Sequence, residues 1–121
     1  MQRAMTKEAF PGYYEATAGG SALLGEDAYA CIKRELEEET GIVCDEFEEI
    51  SRTVYDEDQT IFYCFACTVD CDKASVVLQE GETEAYAWMS EAEFIEFVGS
   101  DKIIDRQKRR YLEYFKKIGY M

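Results

Sequence analysis

The sequence predicts an α/β domain, a sheet covered by helices, and three observations predict it. A helix with an apolar stripe follows a glycine loop and stops at Gly41. Two apolar segments then read as a hairpin, and its second strand is apolar on both faces, as a strand covered on both sides would be. A last amphipathic helix spans Ile103 to Ile118. With 121 residues the chain is one domain, residues 1–121, able to bury one core. Its 47% hydrophobic and 14% aromatic content belongs to a globular chain, not a disordered one.

Taken in order, Met1 to Gly12 is polar and ends in the turn signal Pro11-Gly12. Tyr13 to Ala18 reads as a strand, and Gly19-Gly20 bends the chain toward the first helix. Glu26 or Asp27 starts that helix, because acidic residues suit the positive end of the dipole. Tyr29, Ile32 and Leu36 form its core stripe, and Lys33 and Glu37 are spaced to pair on the opposite side. Phe47 to Tyr55 and Thr60 to Cys71 form the hairpin, joined through Asp56–Gln59. Ile61, Tyr63, Phe65, Cys67 and Val69 share one face of the second strand, and Phe62, Cys64, Ala66 and Thr68 the other. Val76 to Leu78 and Ala85 to Met89, which holds the only Trp, Trp88, read as short strands. Ser90-x-x-Glu93 is a capping box opening a helix through Val98. Arg106, Lys108, Arg109, Arg110, Lys116 and Lys117 gather cations on the last helix, six positions that suit a helix C-terminus and solubility.

Composition removes several kinds of chemistry. The net charge of −13 leaves no basic surface for tracking nucleic acid. Histidine is absent, which rules out Ser-His-Asp and Cys-His catalysis and His-containing zinc sites. The five cysteines, an odd number, read as reduced thiols of a cytoplasmic protein. Cys64 and Cys67 have C-x-x-C spacing, but on a strand that offset points them to opposite faces, so they read as packing residues. No apolar run is long enough to span a membrane.

The helix carries the chemistry. Glu35, Glu38 and Glu39 lie at offsets 0, 3 and 4, three carboxylates within one turn. Like charges that close repel, and the single neighbouring Arg34 does not neutralise three. A hard divalent cation does, and Mg²⁺ is typically held by one or two carboxylates plus water and phosphate oxygens.

The run from Gly20 to Ile42 is Gly, five residues, Glu26, seven residues, then Arg34-Glu35-Leu36-x-Glu38-Glu39-x-Gly41-Ile42. It resembles the Nudix box, the signature of the Nudix (MutT-like) hydrolases, at every specified position. The resemblance implies an α/β/α sandwich with a mixed sheet. It also implies hydrolysis, dependent on Mg²⁺ or Mn²⁺, of a diphosphate linkage in a nucleoside diphosphate derivative. Glu35, Glu38 and Glu39 would be the metal carboxylates, joined by the Gly20 carbonyl. Arg34 would orient the glutamates, and Glu26 and Gly41 would hold the loop–helix structure. Whichever carboxylate is not engaged with the metal, Glu38, Glu82 or Glu84, would take the proton of the attacking water, with Glu82 preferred over Glu84 on the family match. Gln2-Arg3 and the following Lys7, Phe10-Pro11-Gly12 and Glu15 resemble the segment that precedes the box, so Arg3 and Tyr14 are taken as substrate-binding.

In the family that segment follows further strands, and here it stands at the start. The first strands are therefore expected to be missing, with a second copy filling the gap as a homodimer. A non-catalytic nucleotide-binding or interaction module is the rival reading. An isopentenyl diphosphate isomerase, which shares the fold, is disfavoured because it needs histidine ligands.

Overall fold

The computed structural model describes residues 1–57 and 59–120. Along the chain run β1 (Gln2–Arg3), α1 (Ala28–Thr40), β2 (Glu48–Tyr55), β3 (Thr60–Ala66), a 3-10 turn (Lys73–Ser75), β4 (Thr83–Ala85), α2 (Glu91–Val98) and α3 (Asp105–Lys117). Helices and antiparallel strands combine in an α+β fold, the class the sequence predicts.

Local chemistry sets the helix ends. Asp27, not Glu26, caps α1: its carboxylate accepts the Ala30 N–H at 2.7 Å. Gly41 ends the helix at φ 75°, a left-handed conformation that a Cβ disfavours, and its N–H returns to the Glu37 carbonyl at 2.8 Å. The Ser90–Glu93 capping box forms in both directions and opens α2. Lys33 pairs with Asp45 and not with Glu37, because the loop after α1 folds back along the helix. The Tyr29 hydroxyl pins the same loop, donating to the Asp45 carbonyl at 2.9 Å and accepting the Phe47 N–H at 2.8 Å.

β2 and β3 pair antiparallel from Glu48↔Ala66 to Tyr55↔Thr60, with a register shift between Glu49 and Ser51. The connecting turn includes position 58, which lies outside the described residues. β1 pairs antiparallel with β4. Tyr14 bridges Gln2 in antiparallel sense and Ile103 in parallel sense, so a mixed line runs β4–β1–Tyr14–Ile103. The expected strand over Tyr13 to Ala18 is thus reduced to one bridging residue. β3 ends at Ala66 rather than Cys71, β4 stops at Ala85, and Val76–Leu78 is not a strand. Instead Val77 N–H donates to the Thr40 carbonyl at 2.8 Å, closing the end of α1.

The core lies between α2 and α3. Val98 is fully buried with Phe97, Ile103 and Phe115, and Phe94, Tyr111, Tyr114 and Tyr120 pack around them. A second cluster, Tyr29, Phe47 and Phe65, joins α1 to the end of the hairpin through edge-to-face contacts. These contacts correct the reading of β3 as covered on both faces. Its Cys64 face is buried, with Arg110 of α3 stacked on Phe62 at 4.3 Å. On the other face, Tyr29 of α1 packs against Phe65, while Ile61 is 51% and Tyr63 40% exposed. Among the described residues no helix is long and apolar enough to cross a membrane.

Candidate active site

Two carboxylates of α1 converge on Arg34. Its guanidinium donates to Glu35 Oε1 at 2.9 Å and to Glu38 Oε2 at 3.1 Å. It grips Glu26 with two N–H groups, at 2.8 and 3.0 Å, and reaches the Ser21 carbonyl at 3.2 Å. Glu26 also accepts the Leu23 N–H at 2.9 Å, so it ties the glycine loop to the helix. The Arg34 contact holds the Glu26 carboxyl below the usual carboxylate range.

Glu39 points elsewhere. Its carboxylate accepts the Gly19 N–H at 3.2 Å, and no Lys or Arg pairs with it among the described residues. Burial raises its pKa to about 7, against the opposing pull of the Gly19 N–H, and the charges of Glu35, Glu15 and Glu82 add to the rise. Each of those three acids has its own cation: Arg34 for Glu35, Arg3 for Glu15 at 2.5 Å, and Lys7 for Glu82 at 2.7 Å. Glu39 is therefore the acid in this group that the fold leaves uncompensated.

Gly20 lies against this group. A Cβ there would stand 2.5 Å from Glu35 Oε1, so the absence of a side chain is what lets Glu35 lie on the loop. The Gly20 carbonyl accepts a long contact from the Cys31 thiol at 3.8 Å. Of the two acids weighed outside the box, both exposed, Glu82 lies within electrostatic reach of Glu39, and Glu84 lies on β4. Arg3 is occupied by Glu15 and by the Ala9 carbonyl at 2.9 Å, and Tyr14 serves as the bridging residue of the mixed line. Sequence reasoning gave no role to Glu15, Lys7 or Gln107, whose amide donates to Glu15 at 3.3 Å. The Arg3…Lys7…Glu15 spacing was the available signal for the first two.

Two cavities flank these elements. An open one of about 380 Å³, lined by Glu46, Phe47, Glu48, Ala66, Cys67, Thr68 and Tyr114, sits at the end of the hairpin and includes none of the carboxylates above. A smaller one of about 110 Å³, lined by Met1, Thr40, Ile42, Val76, Tyr86, Ala87 and Trp88, borders the residue that follows Glu39.

A NUDIX domain family model matches residues 1–115. The chain belongs to the Nudix family. It is 35% identical over 94 residues to an uncharacterized Nudix hydrolase of Pseudomonas aeruginosa, covering 78% of this chain and 52% of that protein. It is 30% identical over 105 residues to an uncharacterized Nudix hydrolase of Listeria monocytogenes, covering 79% and 62% respectively. The chain thus spans about half to three-fifths of the length of these Nudix relatives.

The box residues suit a divalent metal in kind, though not yet in grouping. Carboxylate oxygens are the donors that Mg²⁺ and Mn²⁺ prefer. Glu39, half-buried and without a paired cation among the described residues, is an acid whose charge the surroundings disfavour. Among the described residues, however, no three acidic or thiol side chains stand close enough to share one ion, because Arg34 draws Glu35 and Glu38 to itself. In this Nudix domain Arg34 thus occupies two of the box carboxylates, Glu35 and Glu38.

Proposed function

We propose that this domain hydrolyses a diphosphate linkage in a nucleoside diphosphate derivative, with Mg²⁺ or Mn²⁺ as cofactor. The observation that carries the reading is Glu39, a carboxylate of the box helix held by Gly19 N–H, without a paired cation among the described residues and within electrostatic reach of three other acids. Glu39 and Glu35 would hold the ion beside the Gly20 loop, with Glu38 joining once Arg34 releases it. A bound divalent ion supplies neutralisation of phosphate charge and a more acidic water. The protein supplies position. Arg34 and Glu26 fix the loop against α1, and Glu82 accepts the proton of the attacking water in preference to Glu84 or Glu38. The recess beside Thr40, with Tyr86 and Trp88 in its wall, suits the flat apolar part of a nucleoside.

We read the free thiols and the strongly acidic balance as those of a cytoplasmic domain acting on small molecules rather than on nucleic acid or membranes. The Arg34 ion pairs favour one rival, a nucleotide-binding module without turnover. Phosphate release from a panel of nucleotide sugars, dinucleotides and nucleoside di- and triphosphates, with and without Mg²⁺, separates the two. Cation-dependent turnover of at least one compound supports hydrolysis. Nucleotide binding without turnover under every metal condition rejects it.

A further inference from the structure

We propose that Cys44 and Cys67 form an oxidation site: a buried thiol and an exposed one, brought together by the loop after α1, that close to a reversible disulfide within the chain and fasten this loop to the end of β3. The C-x-x-C spacing would pair Cys67 with Cys64. The fold pairs it with Cys44 instead. Tyr29 of α1 pins the loop that carries Cys44, its hydroxyl spanning the Asp45 carbonyl and the Phe47 N–H. The hairpin ladder ends at Glu48↔Ala66, so Phe47 and Cys67 are the next residues on either strand. The rings of Tyr29, Phe47 and Phe65 meet at the same end. Within this frame Cys44 Sγ donates to the Glu46 carbonyl at 3.2 Å, and the side chains of Cys44 and Cys67 are hydrogen-bonded to each other. Cys64 is buried and takes Tyr111 of α3 as its partner.

Access differs between the two thiols. Cys44 is only 7% exposed, whereas Cys67 is exposed and lines the open cavity of about 380 Å³ with Glu46, Thr68 and Tyr114. A small polar oxidant such as hydrogen peroxide therefore meets Cys67 first. The Cys67 thiolate attacks one peroxide oxygen and the O–O bond breaks. A sulfenic acid forms, and the departing hydroxide takes up the thiol proton as water. The Cys44 sulfur then attacks the sulfenic sulfur. The S–S bond forms, the S–O bond breaks, and a second water leaves with the Cys44 proton. The thiols are oxidised and the peroxide is reduced to water. Burial, with Cys44 alongside, pushes the Cys67 thiol up to about 11. Thiolate is thus scarce at neutral pH, and the pair responds to sustained rather than brief oxidation. Thiol reductants reach the disulfide from the same cavity and reverse it.

The test incubates the reduced full chain with hydrogen peroxide, blocks remaining thiols by alkylation and maps non-reduced peptides by mass spectrometry. The expected product is a cross-link between the peptides holding Cys44 and Cys67, removed by dithiothreitol. Its formation should raise the melting temperature by on the order of 10 °C, because it closes a loop in the unfolded chain. Cys44→Ala should leave Cys67 as a sulfenic acid that dimedone traps, with no cross-link and no rise in melting temperature. Cys67→Ser should leave Cys44 reduced under the same exposure. Because Cys67 is exposed, this second variant decides even where Cys44→Ala fails to fold. An unreacted pair, pairing of Cys67 with Cys64 or Cys71, or cross-links only between chains overturns the proposal. So does oxidation of Cys44 in Cys67→Ser as fast as in wild type, or a cross-link that leaves the melting temperature unmoved.

Discussion

At the residue scale, Glu39 decides most. A carboxyl whose pKa rises from 4.5 to about 7 on folding binds more protons in the folded state than in the unfolded state between those values. Stability contributed at this site is therefore present at low pH and lost as pH rises through that window. Glu39→Gln removes the penalty. In chelator its melting temperature relative to wild type should climb from about pH 5 to about pH 8, and Mg²⁺ should stabilise wild type but not the variant. A pH-independent difference would show that the burial of Glu39 carries no such penalty. The same substitution should cut kcat/KM about a hundredfold or more, measured on whichever substrate the panel yields. Arg34 and its three acids were legible in the sequence because they lie within a short span of the chain. Glu15 was not: its partners Arg3 and Gln107 lie 12 and 92 residues away, and only folding brings the second to it.

At the element scale, caps and turns make the α1 helix a rigid carrier for the box. Asp27→Ala should cost about 1 kcal/mol through loss of the Ala30 N–H acceptor. Gly41→Ala should cost about 1–2 kcal/mol because its φ of 75° places a Cβ in the left-handed region. Urea denaturation monitored by far-UV circular dichroism measures both; a variant as stable as wild type would show that its cap carries no energy. These ends could be read in the sequence because a cap is a short-range hydrogen bond. Strands were harder. Tyr13 to Ala18 has strand composition, yet only Tyr14 finds partners, since Gln2 and Ile103 offer single bridging positions instead of ladders. Trp88 likewise leaves β4, its indole N–H donating to the Lys73 carbonyl at 2.8 Å. As the single Trp, at the recess beside Thr40, it should be quenched by a bound nucleoside diphosphate; unchanged fluorescence at saturation would remove the recess from the substrate site.

At the scale of the whole molecule, the hairpin presents Val54, Ile61 and Tyr63 to solvent, with Arg52 over the Tyr63 ring at 4.9 Å. An uncovered apolar sheet face beside open strand edges favours association, and a homodimer is the expected outcome in solution. Light scattering at micromolar concentration tests it, and a monomer there would reject it. The net charge of −13 acts over the same scale, because a divalent ion, where bound, would relieve repulsion that the fold otherwise carries. The chain's class and helix order followed from periodicity, whereas the exposure of β3 depended on how far α1 reaches across the hairpin, a distance no pattern of residues states. The most direct measurement is anomalous diffraction from crystals soaked in Mn²⁺. The account predicts an ion at the Glu39 carboxylate, with Glu35 turned off Arg34 to share it. A soaked crystal with Glu35 still on Arg34 and no ion beside Glu39 would contradict it.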